Sequence, residues 1–309
     1  MFGIGDWCSN MNNVIEIDSL SKMYGKARGV KQLSLSVKGG EIFGFIGPNG
    51  AGKSTTIRTI LGFLKPTSGS ARIFGFDTVT QSPEIHRKVG YLPADVNFYD
   101  SMTAQELLDF SARLHRVEAA ERIKQLSARL DLDLSKKFRS LSTGNKKKVG
   151  IIQAMLHDPE LLILDEPTSG LDPLAQRTFF HLLTEERDRG CTVFFSSHVL
   201  SEVQLLCNRV AIIRDGELVT VEDLKEPSVA QYRLVHVRFA RPTVLPEIPG
   251  VKSVEGDGTE YRFMIQGDVN RLLRMLADNT VDDVRIEEPP LEEVFMNYYT
   301  GGTTATKEC

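Results

Sequence analysis

Residues 47–55 form a glycine-rich stretch with the sequence Gly-Pro-Asn-Gly-Ala-Gly-Lys-Ser-Thr. It fits the pattern G-x-x-x-x-G-K-[ST]. The apolar run 42–46 before it is typical of a buried strand, and apolar residues recur at helical intervals over 54–64. Such a strand, loop and helix present backbone N–H groups and a positive helix end to an anion. The stretch therefore predicts a nucleotide phosphate site. There Lys53 would reach the β- and γ-phosphates, and the Ser54 hydroxyl would bind Mg²⁺.

The composition is that of an ordinary soluble globular protein. Charged residues make up 25% and hydrophobic residues 41% of the 309 residues, enough chain for two domains. The net charge of −4 gives no basic field, which argues against nucleic acid as the main partner. No apolar run approaches the roughly 18 residues of a membrane span, and Met1–Asn13 does not resemble a signal peptide. The four scattered cysteines favour reduced thiols in a cytosolic protein.

Short apolar runs alternate with helical periods from residue 14 to about 226, which predicts an α/β nucleotide-binding domain. Strand signals occur at 42–46, 88–92, 161–165, 191–196 and 209–214. They vanish between about 94 and 158, where helical patterns at 103–114, 117–130 and 145–156 predict an all-helical subdomain.

Residues 227–300 have a different pattern, in which alternating strands flank a hairpin at Gly256-Asp257-Gly258. A helix over 269–277, a strand near 284–286 and a last helix from Pro289-Pro290 complete a small α+β domain. Residues 1–13 are expected to be an N-terminal extension and residues 301–309 a tail.

Two adjacent carboxylates, Asp165 and Glu166, end the apolar strand that starts at Leu161. A phosphate-loop NTPase needs an acidic residue there to hold Mg²⁺, and Asp165 fits that role. Glu166 could act as the general base on the attacking water. Successive strand residues point to opposite faces, so both can serve one site only if the chain turns at this point. The alternative is an acidic pair on the surface.

In this order the motifs resemble those of the ATP-binding subunits of ATP-binding cassette (ABC) transporters. The resemblance covers about residues 14–222 and implies a phosphate-loop NTPase core with a helical subdomain. It rests on the phosphate loop, Leu-Ser-Thr-Gly-Asn (141–145), Leu-Leu-Ile-Leu-Asp-Glu-Pro-Thr (161–168), Ser-Gly-Leu-Asp (169–172) and Ser-Ser-His (196–198).

The resemblance assigns ATP and Mg²⁺ to this site. It implies that Glu166 and His198 are catalytic, with His198 contacting the γ-phosphate and orienting Glu166 and water. It implies that the Ser54 hydroxyl binds Mg²⁺ directly and that Asp165 binds it as an outer ligand. The remaining implied ATP contacts come from Tyr24 on adenine, Val30 near the ribose, and the loop residues Asn49, Gly50, Ala51, Gly52, Lys53, Ser54 and Thr55.

The 141–145 segment resembles the family signature, which caps the ATP bound by a partner subunit. Ser142 would offer a hydroxyl and Gly144 an open N–H at a helix start. Thr143 replaces a usual glycine and Asn145 a usual glutamine. Asp172 resembles the loop residue that communicates across the dimer. The lysine run 146–148 is expected to be a solvated face. The signature residues are Leu141, Ser142, Thr143, Gly144 and Asn145.

A further departure lies after Pro93, where the family usually has a glutamine or glutamate that touches Mg²⁺. This chain has Ala94, which offers no side-chain oxygen, followed by Asp95. Either water or Asp95 could take that place near the metal. Asp95 could equally face solvent or a membrane partner.

The resemblance predicts an ATP-hydrolysing subunit that dimerises, with itself or another ATP-binding subunit, around two ATP molecules. It would drive a separate transmembrane permease from the cytoplasmic face of the cell membrane. Leu-Glu-Glu-Val-Phe at 291–295 resembles the tail of exporter-type subunits and favours export. The alternatives are a soluble ABC ATPase outside transport and a regulatory nucleotide-binding module.

Overall fold

The computed structural model describes residues 13–25, 27–224, 232–244, 250–266, 269–277 and 279–287. The chain divides into two compact units, Met1–Val221 and Glu222–Cys309. Among the described residues, no helix has the length and apolar character needed to cross a membrane.

The first unit contains two sheets and seven α-helices among its described residues. Its strands are β1 (Asn13–Tyr24), β2 (Ala27–Lys38), β3 (Ile42–Ile46), β4 (Ser68–Ile73), β5 (Phe76–Asp77), β6 (Val89–Leu92), β7 (Leu161–Asp165), β8 (Thr192–Ser197), β9 (Arg209–Arg214) and β10 (Glu217–Asp223), the last of which runs past the division. Its helices are α1 (Lys53–Ile60), α2 (Ser82–His86), α3 (Ala104–His115), α4 (Ala120–Arg129), α5 (Thr143–Met155), α6 (Pro173–Asp188) and α7 (Leu200–Leu206).

The larger sheet has six strands in the order β10-β9-β3-β8-β7-β6. The strands from β9 to β6 pair in parallel. Strands β3, β7 and β8 are buried along their whole length, as expected for a parallel sheet covered on both faces. The five strands predicted for this region are confirmed to within one residue. Because they are parallel, their carboxyl ends meet at one edge of the sheet, where α/β proteins bind ligands.

The smaller sheet runs in the order β2-β1-β4-β5 and is antiparallel. Leu33, Leu35 and Val37 of β2 are buried, while the residues between them are more exposed. This alternation is typical of a strand with one covered face. These side chains share a core with Ile57 and Ile60 of α1, so the smaller sheet supports the helix that follows the phosphate loop.

Residues 94–158 fold into α3, α4, a short 3₁₀ turn (Phe138–Ser140) and α5, which confirms the predicted helical insertion. Helix α3 begins with a capping box, in which Thr103 and Glu106 each accept a hydrogen bond from the other's backbone N–H. Arg129 of α4 pairs with Glu185 of α6, and Arg122 pairs with the buried Glu186. These ion pairs tie the insertion to the rest of the unit.

The second unit is an antiparallel sheet with one described helix. Val235, Val237 and Phe263 pack with Leu272 and Leu276 of that helix to form its core. The predicted helix over 269–277 and the hairpin at 256–258 are confirmed. The predicted last helix from Pro289, the tail 301–309 and residues 1–12 lie outside the described residues. The strands of this unit are β11 (Tyr232–Phe239), β12 (Val251–Gly256), β13 (Glu260–Gln266) and β14 (Val281–Glu287), and its described helix is α8 (Val269–Ala277). The strands lie in the sheet in the order β12-β13-β11-β14.

Candidate nucleotide site

The glycine-rich loop joins β3 to α1, as the sequence predicted, and α1 begins at Lys53. Gly52 has φ +106°, a left-handed conformation that side chains disfavour. A Cβ on this residue would lie 2.8 Å from the carbonyl oxygen of Gly29. Glycine is therefore required at this position for two separate reasons. The first turn of α1 carries no acidic residue, so its positive end is left open to an anion.

Lys53 is 6% exposed and lies at the centre of the site. Its Nζ donates to the carbonyl oxygens of Gly47 at 2.6 Å and Pro48 at 3.3 Å. The same ammonium lies 3.1 Å from Oε1 of Glu166, which directly follows strand β7. The loop lysine and the predicted base are thus in direct contact, although 113 residues separate them in the sequence.

Asp165 is fully buried at the end of β7. Its Oδ1 accepts a hydrogen bond of 2.8 Å from the Ser196 hydroxyl of β8. Its Oδ2 is buried and has no hydrogen-bond donor among the described residues. An unsatisfied buried carboxylate oxygen costs about 1–3 kcal/mol, so this atom fits a cation or a water bound to one. The oxygen chemistry of Asp165 and Ser54 therefore suits Mg²⁺.

Glu166 turns the chain at the end of β7, with φ +47° in the left-handed region. Its backbone N–H lies 3.2 Å from both the carbonyl and the hydroxyl oxygen of Ser196. A residue other than glycine pays about 1–3 kcal/mol for this conformation. The turn breaks the strand alternation and brings the Glu166 carboxylate to Lys53. This is how two adjacent acidic residues reach one site.

His198 follows β8 and lies beside Glu166, with 2.7 Å between its Nδ1 and Oε2 of the carboxylate. An ionised carboxylate only accepts hydrogen bonds, so Nδ1 carries the proton in this contact. The half-exposed imidazole and the Glu166 carboxylate, 16% exposed, form a pair at the edge of the sheet. Lys53, Glu166 and His198 are thereby brought together.

A buried network supports the turn before His198. Oε2 of Glu202 in α7 accepts hydrogen bonds from the hydroxyls of Ser197 at 2.9 Å and Thr168 at 3.0 Å. Burial raises the pKa of the Glu202 carboxyl above its usual range. No sequence pattern indicates a role for Glu202 or Ser196, although the Ser-Ser-His triplet at 196–198 marks this turn.

The two residues predicted to contact the nucleoside lie close together in the chain: Tyr24 is the last residue of β1 and Val30 is the fourth residue of β2. Tyr24 is 47% exposed, so its side chain is accessible from solvent, and the ammonium of Lys22 lies over the ring at 5.6 Å from its centroid. Val30 is buried next to the loop, since its Cγ2 would lie 3.2 Å from a Cβ on Gly52.

The signature residues and Asp172 form a second group. Ser142 caps α5, its hydroxyl oxygen accepting from the N–H of Asn145 at 3.3 Å, and Leu141 is buried. Gly144 packs so closely on the 169–172 loop that a Cβ would lie 2.7 Å from the carbonyl oxygen of Gly170. Asp172 caps α6, and the backbone N–H of Ala175 lowers the pKa of its carboxyl.

The lysine run at the start of α5 is not the solvated face that the sequence predicted. Lys147 is 3% exposed and Lys148 is 8% exposed, and Lys146 is partly buried with its ammonium 5.0 Å from the Phe138 ring centroid. The prediction was wrong because α5 packs against α3, α4 and β6, so the side of the helix that carries Lys147 and Lys148 is covered. A run of like charges in a sequence does not reveal this.

The backbone of Ala94, which departs from the usual family residue, is bound by one of these lysines. Nζ of Lys147 donates to the carbonyl oxygen of Ala94 at 2.5 Å, to that of Pro93 at 3.4 Å and to that of Glu166 at 3.2 Å. Asp95 next to it is exposed, and its charge acts on the Lys147 ammonium. The loop after β6 is thus held by a cation from α5.

The fold and this arrangement of residues define a phosphate-loop ATPase. A family model described as ABC transporter matches residues 30–169. The chain is 36% identical to the bacitracin transport ATP-binding protein BcrA of Bacillus licheniformis, over 95% of this chain and 99% of that protein. It is 30% identical to the linearmycin resistance ATP-binding protein LnrL of Bacillus subtilis, over 94% and 99%. The chain belongs to the family of ABC transporter ATP-binding subunits.

Solved structures agree with this assignment. The ATP-binding subunit of an ABC transporter superposes with a TM-score of 0.66 at 30% identity, over 70% of this chain and 91% of that one. A dimeric ABC cassette bound to ADP and Pi in a post-hydrolysis state superposes with a TM-score of 0.61 at 26% identity, over 69% and 99%. The protein is an ATP-binding, ATP-hydrolysing subunit of an ABC transporter.

Proposed function

We propose that two copies of this subunit, or one copy and a related subunit, bind two Mg²⁺-ATP molecules between them and power an exporter. The transmembrane part would be a separate protein, with this subunit at its cytoplasmic face. The observation that carries the proposal is the contact of Glu166 with both Lys53 and His198 at the carboxyl edge of the sheet.

The residues of the site suit ATP hydrolysis. The Lys53 ammonium would balance the charge of the β- and γ-phosphates. The Glu166 carboxylate would accept a proton from the attacking water, and His198 would hold that carboxylate in place. Ser54 and, through water, Asp165 would hold Mg²⁺, which neutralises phosphate charge when bound.

A dimer is supported by the residues outside this cluster. Ser142 and Gly144 lie at the N-terminus of α5, where backbone N–H groups favour an anion. In the proposed dimer this end would cap the γ-phosphate held by the other subunit, with Asp172 near the dimer contact. A related cassette is dimeric in its ADP- and Pi-bound structure.

Export is supported by the relatives, one of which acts in bacitracin transport and another in linearmycin resistance. A transporter that gives resistance to an antibiotic most simply moves it out of the cell, so we propose an antibiotic or a similar compound as the substrate. The relatives do not favour the two alternatives, a soluble ATPase outside transport and a regulatory module.

The proposal can be tested by expressing this chain with the multi-span membrane protein that we expect to be encoded beside it and preparing inside-out vesicles. We expect the chain to remain with the vesicles and to drive Mg²⁺-ATP-dependent accumulation of labelled bacitracin or linearmycin. Vesicles with Glu166→Gln are the matched control and should accumulate neither, and EDTA should stop hydrolysis by the wild type. Failure to associate with the membrane would contradict the transport role. Association without accumulation of either compound would contradict the proposed substrate class.

Asp95→Ala tests the loop in which Ala94 replaces the usual oxygen-bearing residue. If Asp95 reaches the metal, its loss should lower the steady-state ATPase rate about tenfold, about 1.4 kcal/mol, with and without the membrane partner. Loss only with the partner would indicate a coupling surface instead. An unchanged rate in both conditions would show that Asp95 has no part in either process. Asp100→Ala, at another exposed position of the same loop, is the control.

A further inference from the structure

Lys147 is a buried cation whose ammonium is bound by backbone rather than by a carboxylate. It is 3% exposed, and desolvation lowers the pKa of its ammonium. Burying a charge is costly unless it is paired and hydrogen-bonded. Its three protons match three carbonyl oxygens, those of Pro93, Ala94 and Glu166. With its donors used in this way, Lys147 is suited to fixing backbone and not to binding phosphate.

One of these carbonyl groups belongs to Glu166, whose backbone is in the left-handed conformation. The Glu166 peptide is held at its N–H by Ser196 and at its carbonyl by Lys147 at 3.2 Å and the Ser169 N–H at 3.4 Å. A strained conformation persists only when its surroundings over-determine it. Among these hydrogen bonds, the one from Lys147 has a charged donor, and hydrogen bonds with a charged donor are stronger than those between neutral groups.

The other two carbonyls belong to the loop after β6. The shortest of the three hydrogen bonds, 2.5 Å, is accepted by the carbonyl oxygen of Ala94, whose methyl side chain can make no hydrogen bond. A cation from α5 therefore fixes this loop through its backbone. Helix α5 also begins with the signature residues, since Ser142 is its cap. The Lys147 side chain thus connects α5, the loop after β6 and the turn at Glu166.

We propose that Lys147 is a positioning residue for ATP hydrolysis: it holds the Glu166 turn and the 93–95 loop in register, so that the Glu166 carboxylate stays beside His198 and the phosphate site. This inference rests on the proposed role of Glu166 as the base. Lys147 touches no reacting atom, so its loss should act on turnover and leave nucleotide binding through Lys53 and the loop intact.

The test compares four full-length variants by steady-state ATPase kinetics, equilibrium ATP binding and thermal unfolding. Lys147→Met keeps the length of the side chain but removes its donors. We expect it to lower kcat at least tenfold while the Kd for ATP stays within threefold of wild type. Lys147→Arg keeps a cation with several donors and should restore kcat to within about threefold. Lys146→Met, the control on the same helix turn, should leave kcat within twofold. If Lys147→Met does not fold, Lys147→Gln replaces it with the same expectation, because the glutamine side chain is uncharged and too short to bring its amide to the oxygens that the ammonium binds.

The outcomes separate the possibilities. A kcat within twofold of wild type in Lys147→Met would overturn the proposal. So would a parallel loss of ATP binding and kcat that Lys147→Arg does not restore, because that pattern indicates a purely structural role. The fourth variant, Glu166→Gln, distinguishes the two proposals. If it hydrolyses ATP at the wild-type rate, the assignment of the base fails. If it is inactive while Lys147→Met is normal, only the positioning role fails.

Discussion

Lys53→Ala is expected to weaken ATP binding at least a hundredfold, about 2.7 kcal/mol. Lys53 is the buried cation of the phosphate loop, and its Nζ already lies among oxygens, those of Gly47, Pro48 and Glu166. Alanine removes the counter-charge for the β- and γ-phosphates and leaves the Glu166 carboxylate to repel them. Equilibrium titration with ATP on the isolated full-length subunit measures the effect.

The control for this experiment is Lys88→Ala, which removes an exposed lysine paired with Glu160 at the opposite end of the sheet strands. It should bind ATP like the wild type. A circular-dichroism melt of both variants checks that the fold is retained. Binding by Lys53→Ala within about threefold of wild type, about 0.65 kcal/mol, would contradict the assignment of residues 47–55 as the phosphate site.

Glu166→Gln is expected to lower the ATPase rate a hundredfold or more while ATP binding is preserved. The amide has nearly the shape of the carboxylate but cannot accept the proton of the attacking water. It also removes a negative charge 3.1 Å from Lys53, so ATP binding should not weaken. We expect this variant to accumulate as an ATP-bound dimer on size exclusion, whereas the wild type without its membrane partner should be mainly monomeric.

The matched control is Glu160→Gln, an exposed carboxylate immediately before the same strand, β7. It should hydrolyse ATP at the wild-type rate and remain monomeric. Hydrolysis at the wild-type rate by Glu166→Gln itself would show that another group acts as the base. Loss of hydrolysis in both variants would point to damage to β7 and not to the chemistry of Glu166.

The elements around the phosphate loop could be predicted because their signals are local. The buried strand before Gly47 and the strand ending at Asp165 are continuous apolar runs, which a covered parallel sheet demands. The helix over 269–277 has one apolar face and was predicted to its ends. In each case the residues that decide the structure are neighbours in the sequence.

The details of the site could not be predicted because they depend on contacts between distant segments. Nothing local indicates that Glu166 adopts a left-handed conformation, since the groups that hold it come from Ser196 and Lys147. The burial of Lys147 depends on the carbonyls of Pro93 and Ala94, more than fifty residues away. The motifs therefore indicate which residues gather at the site, whereas their geometry comes from the packing around them.

The contact between Gly144 and Gly170 sets different limits on two neighbouring positions of the signature. At position 144 a single added carbon would collide with main chain, which cannot swing aside as a side chain can. At position 143 a threonine is accommodated, exposed, with its methyl group near Gly170. Of the usual two glycines, the one at position 144 is required for steric reasons, whereas the one at position 143 can be replaced. In this chain the steric demand of the signature therefore rests on Gly144 and on Gly170, the loop glycine that it touches, and not on a pair of adjacent glycines.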